Sequence, residues 1–254
     1  MDFRELTPSL VTFWGAGCSE HLLTGIESSS FIRQRNNWYI ANIPLGLSGL
    51  FMMDWGKIVG FSIEMPIDYV PLPIFGNNII VILCYWTQPV MSTSKHKNLL
   101  LIKVMERLER KGYDGIVVFS PGGIDNPVWE AFGFEKITEC EFMGMPSYMM
   151  FRKYADVSPP SFQSPVSLLP PRQRKYAIDI FYPKYCPIGS LIMSKVIKQS
   201  PNFAQIAELR VHDTSYRDVV LSSGRVIGVY LNGEDITREI IQNTPIKKII
   251  EKIS

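Results

Sequence analysis

The sequence predicts an α/β (α+β) fold, in which a mixed sheet with a central β-α-β crossover is followed by a small second domain. An apolar run from Ile79 to Trp86 precedes an amphipathic stretch from about Lys97 to Lys111 and a second apolar run from Gly115 to Phe119. Strand, helix and strand in this order form a right-handed crossover between parallel strands. A proline-rich break later in the chain separates this part from a shorter one.

The break runs from Ala155 to Lys175, where the hydrophobic periodicity stops and five prolines occur. Because proline fixes φ and lacks an amide donor, such a segment favours extended, semi-rigid geometry over a helix or a central strand. We therefore expect one domain at residues 1–154, a linker at 155–175 and a second domain at 176–254.

The remaining elements of the first domain follow from the same periodicities. Leu50 to Asp54 and Lys57 to Glu64 flank Trp55-Gly56 and are typical of two strands joined by a tight turn. One short helix and two terminal strands are predicted at Asn126 to Phe132, Phe134 to Phe142 and Ser147 to Lys153. The Ile79 to Trp86 run is apolar on both faces, which predicts a strand in the middle of the sheet.

Composition excludes several classes of function. The chain has 254 residues, of which 46% are hydrophobic and 20% charged, and its formal net charge is +2. A charge this small disfavours a nucleic-acid-binding protein.

The four cysteines form no CxxC pair, and the three histidines are isolated, so no metal site is expected. Sparse cysteine predicts a reducing, cytoplasmic location. The apolar run of Ile79 to Trp86 is far shorter than the ~20 residues of a membrane-spanning helix, so no membrane partner is expected.

A polar loop from Thr87 to Asn98 joins the central strand to its helix and can form an anion site. Unpaired backbone amides and the positive end of the helix dipole would meet the anion there. The residues that would add hydroxyl groups or positive charge are Ser92, Thr93, Ser94, Lys95 and Lys97. The alternative is an ordinary capped helix with solvated lysines.

The order of elements, the strand end Cys84-Tyr85-Trp86-Thr87 and the segment Trp129-Glu-Ala-Phe-Gly133-Phe134 resemble the GNAT family of N-acetyltransferases over about residues 40 to 153. This resemblance implies that the co-substrate acetyl-CoA lies along the end of the Ile79 to Thr87 strand, with its pyrophosphate on the following loop. The implied cofactor-binding residues are Tyr85, Trp86, Thr87, Ser92, Thr93, Ser94, Lys95, His96, Lys97, Asn98, Asn126 and Trp129.

Two positions depart from the family pattern. Ser94 and His96 stand where the pyrophosphate loop of the family has glycines, which allow close phosphate approach. Trp129 occupies the place where many members have a tyrosine that protonates the departing thiolate, and indole cannot do that. The possible substitutes are Tyr85, Tyr113 and Tyr148; Tyr85 is the one assigned a catalytic role.

Glu64 is the first candidate for a general base. It ends the strand beside the acceptor side of a GNAT-type cleft, where partial desolvation would raise the pKa of its carboxyl group. The alternative is a solvated glutamate at a strand end. Cys84 is expected to be a buried core thiol rather than an acyl acceptor.

The sequence of the second domain predicts strands and helices in the order βαβ and then ββα, which is thioredoxin-like in outline. Its elements are strands at Tyr176 to Tyr182 and Glu208 to His212, a helix of about 12 residues between them, a short helix at Ser215 to Leu221, a hairpin from Arg225 to Thr237, and a final helix from about Pro245. Cys186-Pro187-Ile188-Gly189 resembles the glutaredoxin and thioredoxin active-site turn, with glycine in place of the resolving cysteine. Cys186 could thus perform monothiol redox chemistry, or the domain could serve in packing and recognition.

The pairing of these two domains resembles the YoaP-like acetyltransferases, whose C-terminal signature is similar to Gly224 to Gly233 and the segment after it. We therefore expect an enzyme that moves an acetyl group from acetyl-CoA to a small-molecule or peptide amine, with Glu64, Tyr85 and Cys186 as catalytic candidates. The alternatives are a GNAT scaffold that binds CoA or a partner without turnover, and a redox module. A homodimer is possible, whereas no nucleic acid, membrane or metal is expected.

Overall fold

The computed structural model describes residues 1–14, 25–88, 94–142, 145–168, 170–171 and 173–253. The predicted crossover is confirmed, because a parallel pair of strands lies in the middle of the larger sheet with a helix between them in sequence. A smaller, separate sheet contains the C-terminal strands. The protein is therefore a mixed α/β chain with two sheets of unequal size.

The larger sheet has seven strands in the order β1-β2-β3-β5-β6-β8-β7. They are β1 Asp2–Glu5, β2 Ser48–Asp54, β3 Lys57–Pro66, β5 Ile79–Thr87, β6 Gly115–Pro121, β7 Glu135–Phe142 and β8 Met145–Lys153. Only β5 and β6 run parallel; the other neighbours are antiparallel. The hairpin prediction is confirmed: Trp55 and Gly56 both have positive φ angles, of 47° and 77°, as a two-residue hairpin turn requires.

Helices cover both faces of this sheet. They are α1 Pro8–Phe13 and α2 Gly25–Asn42 on one face, and α3 Ser94–Glu109 and α4 Asn126–Ala131 on the other. Helix α3 starts three residues before the predicted Lys97 and ends two before Lys111, where Gly112 takes a positive φ of 76°. Strand β1 was not predicted; it lies at the sheet edge and pairs only with β2.

Apolar side chains on alternate positions of the strands separate the two cores. Phe61 and Ile63 face α1 and α2, in a core that includes Trp14 and Trp38. Ile80 and Ile82 instead face α3, together with Leu101 and its neighbours. Because successive strand residues point to opposite faces, a central strand that is covered on both sides must be apolar throughout. This explains the unbroken apolar run of β5.

The smaller sheet has the order β11-β10-β12-β13, with β10 parallel to β11 and antiparallel to β12. Its strands are β10 Tyr176–Tyr182, β11 Ala207–Asp213, β12 Gly228–Leu231 and β13 Glu234–Asp235. Its helices are α5 Pro187–Gln199, α6 Arg217–Ser223, α7 Thr237–Ile241 and α8 Ile246–Ile253. The βαβ then ββα order is as predicted, except that the short α7 was missed.

The described residues of the segment 155–175 form no helix. Within this segment β9 Ser161–Phe162 pairs with β4 Ile74–Phe75 of the first part of the chain. The Gln163 side chain donates to the Leu221 carbonyl of the second part at 2.8 Å. The segment therefore contacts both parts of the chain, and the division at residues 154 and 176 stays a prediction.

Direct contacts also join the two sheets. The Arg217 guanidinium donates to the carbonyls of Val70 at 2.8 Å, Leu72 at 3.1 Å and Ile74 at 2.7 Å. The Trp38 indole donates from Nε1 to the Ser215 carbonyl at 3.0 Å. These four hydrogen bonds hold the second sheet against the α1 and α2 face of the first.

Two features are absent from the described residues. No helix in the described ranges is both long and apolar enough to cross a bilayer. No group of three or more His, Cys, Asp or Glu side chains in the same ranges is arranged to hold a metal ion.

Candidate functional site

The central feature of the candidate site is a gap between β5 and β6. The two strands pair in parallel only from Ile79 opposite Gly115 to Ile82 opposite Val118. Beyond Ile82, β5 continues to Thr87 against β3, and β6 continues to Pro121 against β8. Past Ile82, therefore, the described parts of β5 and β6 are no longer paired with each other.

A β-bulge in β5 starts at the same point. Glu64 of β3 lies opposite Ile82 and Ile63 lies opposite Cys84, so Leu83 is the extra residue on β5. A bulge bends and twists its strand, and the pairing of β5 with β6 ends at the residue before this one. Both Leu83 and Cys84 consequently contact the core on the α1 and α2 face. Sequence reasoning missed the bulge, because an unbroken apolar run carries no signal for it.

On the α3 face, the structure describes part of the predicted anion loop. Ser92 and Thr93 lie outside the described residues, as do the side chains of Ser94 and Lys95, although both residues belong to α3. His96 and Lys97 are half-buried and Asn98 is exposed. The Lys97 ammonium lies 3.9 Å from the Asp125 carboxylate at the start of α4. The first turn of α3 thus lies beside α4, next to the gap.

Tyr85 lies between these helices. Its hydroxyl donates to the Lys97 carbonyl at 2.5 Å, and its ring meets the Trp129 ring edge-on with centroids 5.5 Å apart. Burial, with a smaller effect of the Asp125 charge, raises the pKa of Tyr85, so the phenol keeps its proton at neutral pH. Tyr113 and Tyr148, the other tyrosines considered, pack against the same core.

Of the predicted residues in α4 and at the end of β5, Trp129 contacts Tyr85, whereas Trp86 lies on the opposite face of the sheet. Trp129 is 4% exposed and packs between Tyr85 and Phe134. Trp86 points to the other face, where its ring lies 5.4 Å from that of Phe61. Asn126 Oδ1 and Thr87 Oγ1 are buried and accept no hydrogen bond from the described residues.

Glu64 does not face the gap. Its side chain is completely buried and receives a hydrogen bond from Arg107 Nη2 of α3, with Ser48 Oγ at 3.3 Å. The expectation of a partly solvated carboxylate at the cleft is corrected by this position: α3 covers the strand there, and the carboxylate is paired with a buried guanidinium. The general-base role of Glu64 stays a prediction, and its surroundings do not support it.

A cavity of about 240 Å³ lies on the opposite face of the gap, between the two sheets. Leu83 and Cys84 of the bulge form one wall. The residues from the first part of the chain are Trp14, Arg35, Tyr39, Phe61 and Phe142, and those from the second are Pro183, Tyr185, Cys186, Pro187, Ile188, Val226 and Ile227. The cavity therefore requires both parts of the chain.

Two buried polar atoms belong to the wall of this cavity. Trp14 Nε1 and Tyr185 Oη have no hydrogen-bond partner among the described residues, and their side chains are 2% and 8% exposed. Burial holds the pKa of Tyr185 well above its usual range, and the nearby thiols of Cys186 and Cys84 add to this effect. The Tyr185 hydroxyl is therefore a neutral donor and acceptor.

Cys186 lies where sequence reasoning placed it, at the N-cap position of α5. It is half-buried and, with Cys84, lines the cavity. Cys84, Cys140 and Cys186 form no disulfide among the described cysteines. The structure thus brings Cys186 to the gap but leaves Glu64 and Tyr85 on the α3 face.

The residues that sequence reasoning missed are Trp14, Arg35 and Tyr185. Arg35 is 1% exposed, donates to the Trp14 carbonyl at 2.6 Å and stacks its guanidinium 4.0 Å from the centre of the Trp14 ring. These residues come from three distant segments, so no local spacing could reveal that they share a cavity.

Comparison with known proteins gives likeness of structure only. Neither the family models nor the curated proteins include a match to this sequence. The ribosomal-protein-alanine N-acetyltransferase of Brucella melitensis is 15% identical, covers 61% of this chain with 100% of its own, and has a TM-score of 0.46. The PaiA N-acetyltransferase of Thermoplasma acidophilum, solved with coenzyme A, is 14% identical over 61% of this chain and 100% of its own, with a TM-score of 0.41. Neither likeness carries a conclusion about activity.

Proposed function

We propose that this chain is an N-acyltransferase that moves an acetyl group from acetyl-CoA to an amine through the gap between β5 and β6. The observation that carries this proposal is the loss of strand pairing after Ile82, together with the bulge at Leu83. One side of the gap borders the start of α3, and the other borders the apolar cavity between the two sheets. Two reactants could therefore meet from opposite faces of the sheet.

The residues on the α3 face suit the polar part of acetyl-CoA. Asn126 Oδ1 and Thr87 Oγ1 are buried acceptors without a partner among the described residues, and ligand groups could satisfy them. The N-terminal amides of α3 and the Lys97 ammonium would meet phosphate charge. These residues would hold the co-substrate, in agreement with the resemblance of the β5 and α4 motifs to the GNAT family.

When bound, acetyl-CoA supplies an acyl thioester, which an amine can attack. The chain contributes position and a polar surface: the end of β5 past Ile82, where β5 is no longer paired with β6, can present backbone amides to a developing oxyanion. The apolar walls of the cavity exclude water from the acceptor. The Tyr85 phenol, held in its protonated form by burial and in contact with Trp129, would serve as the proton donor to the departing thiolate.

The second part of the chain completes the acceptor side. Its βαβ then ββα order, with β10 central and β11 parallel to it, supports a thioredoxin-like domain at residues 176–254. The turn from Pro183 to Ile188 forms one wall of the cavity, so this domain would help to select the acceptor. Cys186 then contacts the acceptor, and redox chemistry is not needed.

The proposal is tested by measuring acetyl-CoA binding by calorimetry and thiol release over a panel of amines. Lys97→Glu reverses a half-buried charge beside Asp125 at the start of α3, and we expect it to weaken acetyl-CoA binding by about tenfold. Lys103→Glu is the matched control, because Lys103 lies on the same helix and pairs with Glu106 at the surface.

The outcomes separate the alternatives. If acetyl-CoA does not bind the wild-type chain, or if Lys97→Glu and Lys103→Glu have the same effect, the proposed site is wrong. Binding without thiol release for any amine would support a GNAT scaffold that has lost turnover. If the chain transfers no acetyl group but carries out thiol redox chemistry through Cys186, the monothiol alternative is supported instead.

A further inference from the structure

The cavity behind Leu83 has a size that limits its contents. Its volume is about 240 Å³. An apolar cavity of about 150 Å³ already accommodates benzene. The space beside Cys84 therefore suits one aromatic ring with a short substituent.

The walls of the cavity disfavour a cation. The lining residues that the structure describes include no carboxylate, and the one charged group is the Arg35 guanidinium, which is 1% exposed. An ammonium group would have to leave water for an apolar space beside another positive charge, which costs several kcal/mol. A neutral molecule meets no such cost.

The cavity also offers specific polar contacts. Trp14 Nε1 can donate, and Tyr185 Oη can donate or accept; neither has a partner among the described residues. Both side chains are more than nine-tenths buried and line the same cavity. Buried polar atoms that lack a partner are costly, so a ligand that supplies one polar group gains affinity.

We infer that the acceptor site between the two sheets takes a small, neutral aromatic amine, which stacks among the apolar walls beside Cys84 and Cys186 and hydrogen-bonds to Tyr185 or Trp14. This inference rests on the proposed function for the reaction itself. It commits to an acceptor of about ten non-hydrogen atoms or fewer, as the cavity volume requires.

The chemistry suits this acceptor. The nitrogen lone pair of an aromatic amine is free at neutral pH, so no residue needs to remove a proton before attack. The amine nitrogen forms a bond to the thioester carbonyl carbon as the carbon–sulfur bond breaks, and the proton lost by nitrogen ends on the departing thiolate. The buried, ion-paired state of Glu64 is then no obstacle to the reaction.

The sharpest test compares 4-methylaniline with its isomer benzylamine, which has the same atoms but is an alkylammonium at pH 7. Calorimetric titration of the full chain without acetyl-CoA should show binding of 4-methylaniline at least about tenfold tighter than that of benzylamine. Equal affinity, or tighter binding of benzylamine, would overturn the inference.

Two variants locate the binding. Ile188→Trp fills the cavity from the start of α5 and should abolish 4-methylaniline binding, whereas Ile197→Trp, at a 45% exposed position of the same helix, should leave it unchanged. Tyr185→Phe removes only the hydroxyl and should weaken binding severalfold while the chain stays folded. Binding that survives Ile188→Trp would place the ligand elsewhere and contradict the inference.

The failure of this inference is distinguishable from that of the proposed function. If 4-methylaniline binds and acetyl-CoA does not, the transferase proposal fails and the aromatic site stands as a binding site only. If acetyl-CoA is turned over with benzylamine and not with 4-methylaniline, the transferase proposal stands and the acceptor class is wrong.

Discussion

The indole of Trp38 and the phenol ring of Tyr185 pack together across the contact between the two sheets, with centroids 4.4 Å apart. Trp38 belongs to α2 and Tyr185 precedes α5, so this pair joins the two halves of the cavity wall. The Trp38 N–H also donates to the Ser215 carbonyl at 3.0 Å. The acceptor cavity therefore depends on a contact that is itself buried.

Trp38→Phe tests this contact. The substitution removes the hydrogen bond and leaves the Ser215 carbonyl without its donor, so we expect a loss of about 1–3 kcal/mol in the free energy of unfolding. Urea titration followed by circular dichroism measures it. Trp55→Phe is the control, because Trp55 is 96% exposed in the β2–β3 turn and its loss should change stability by less than ~0.5 kcal/mol. Equal effects of the two substitutions would mean that the interface does not depend on Trp38.

Because Glu64 and Arg107 form a buried pair, we expect the effects of substituting them on the free energy of unfolding to be strongly non-additive. Arg107→Met leaves the Glu64 carboxylate buried without its cation, and we expect a cost of about 3–5 kcal/mol. The double variant Glu64→Leu with Arg107→Met removes both charges and should recover most of that loss. Lys103→Met on the exposed face of α3 is the control and should be nearly neutral. A double variant less stable than Arg107→Met would contradict this picture.

At Gly189, a substitution by alanine should lower the stability of the chain, although this substitution usually stabilises a helix. Alanine in place of glycine inside a helix ordinarily stabilises it by about 0.5–1 kcal/mol. A Cβ at Gly189 would lie 2.9 Å from Pro183 Cδ and 3.0 Å from the Pro183 carbonyl oxygen, and this backbone cannot easily move. Gly189→Ala should therefore destabilise the chain by about 1–3 kcal/mol in a thermal unfolding experiment.

The control for this prediction is Ser190→Ala, the next residue along the same turn, which should have a small effect. If Gly189→Ala proves neutral or stabilising, the close approach of Pro183 is wrong. The same contact explains why a resolving cysteine at this position would not fit without a shift of the Cys186 turn.

Glu141 makes the contact between the sheets sensitive to pH. Burial, and next the neighbouring Asp235 carboxyl, raise the pKa of Glu141, while Arg225 and the Tyr230 hydroxyl oppose the shift. A carboxyl group whose pKa is raised on folding stabilises the fold below its unfolded pKa of about 4.3, and that contribution is lost as the pH rises through the raised value. Glu141→Gln should therefore raise the melting temperature at pH 7 and leave it unchanged near pH 4.

Glu139→Gln provides the comparison, because Glu139, like Glu141, is an exposed residue of β7, and its substitution removes a charge while the Glu141–Asp235 contact remains. It should show no such pH dependence. A melting temperature that rises by the same amount at both pH values would show that repulsion from Asp235 is not the cause.

The elements with local signals were predictable from the sequence. The hairpin at Trp55 and Gly56 was predictable because a short turn sequence with glycine, between two apolar runs, indicates positive φ angles. The β5–α3–β6 crossover was predictable because each of its three elements has a clear hydrophobic periodicity. Periodicity tells which face a residue occupies but gives no information about its partner. Glu64 was expected as a partly desolvated carboxylate at the cleft, whereas it is fully buried because Arg107 pairs with it.

The candidate site was less predictable, for a physical reason. The bulge at Leu83 changes the strand register by one residue within a run that is apolar on both sides, so no side chain marks it. The cavity depends on contacts between residues separated by more than a hundred positions, such as Trp38 and Tyr185. Only the tertiary structure brings these together.

Hydrogen–deuterium exchange of the full chain with and without acetyl-CoA tests the central claim most directly. If the co-substrate lies in the gap between β5 and β6, amides of residues 83–88 and of the first turn of α3 should exchange more slowly when it is bound, while those of β11 should not change. Saturating acetyl-CoA that leaves residues 83–88 unprotected, or that protects β11 instead, would contradict the account.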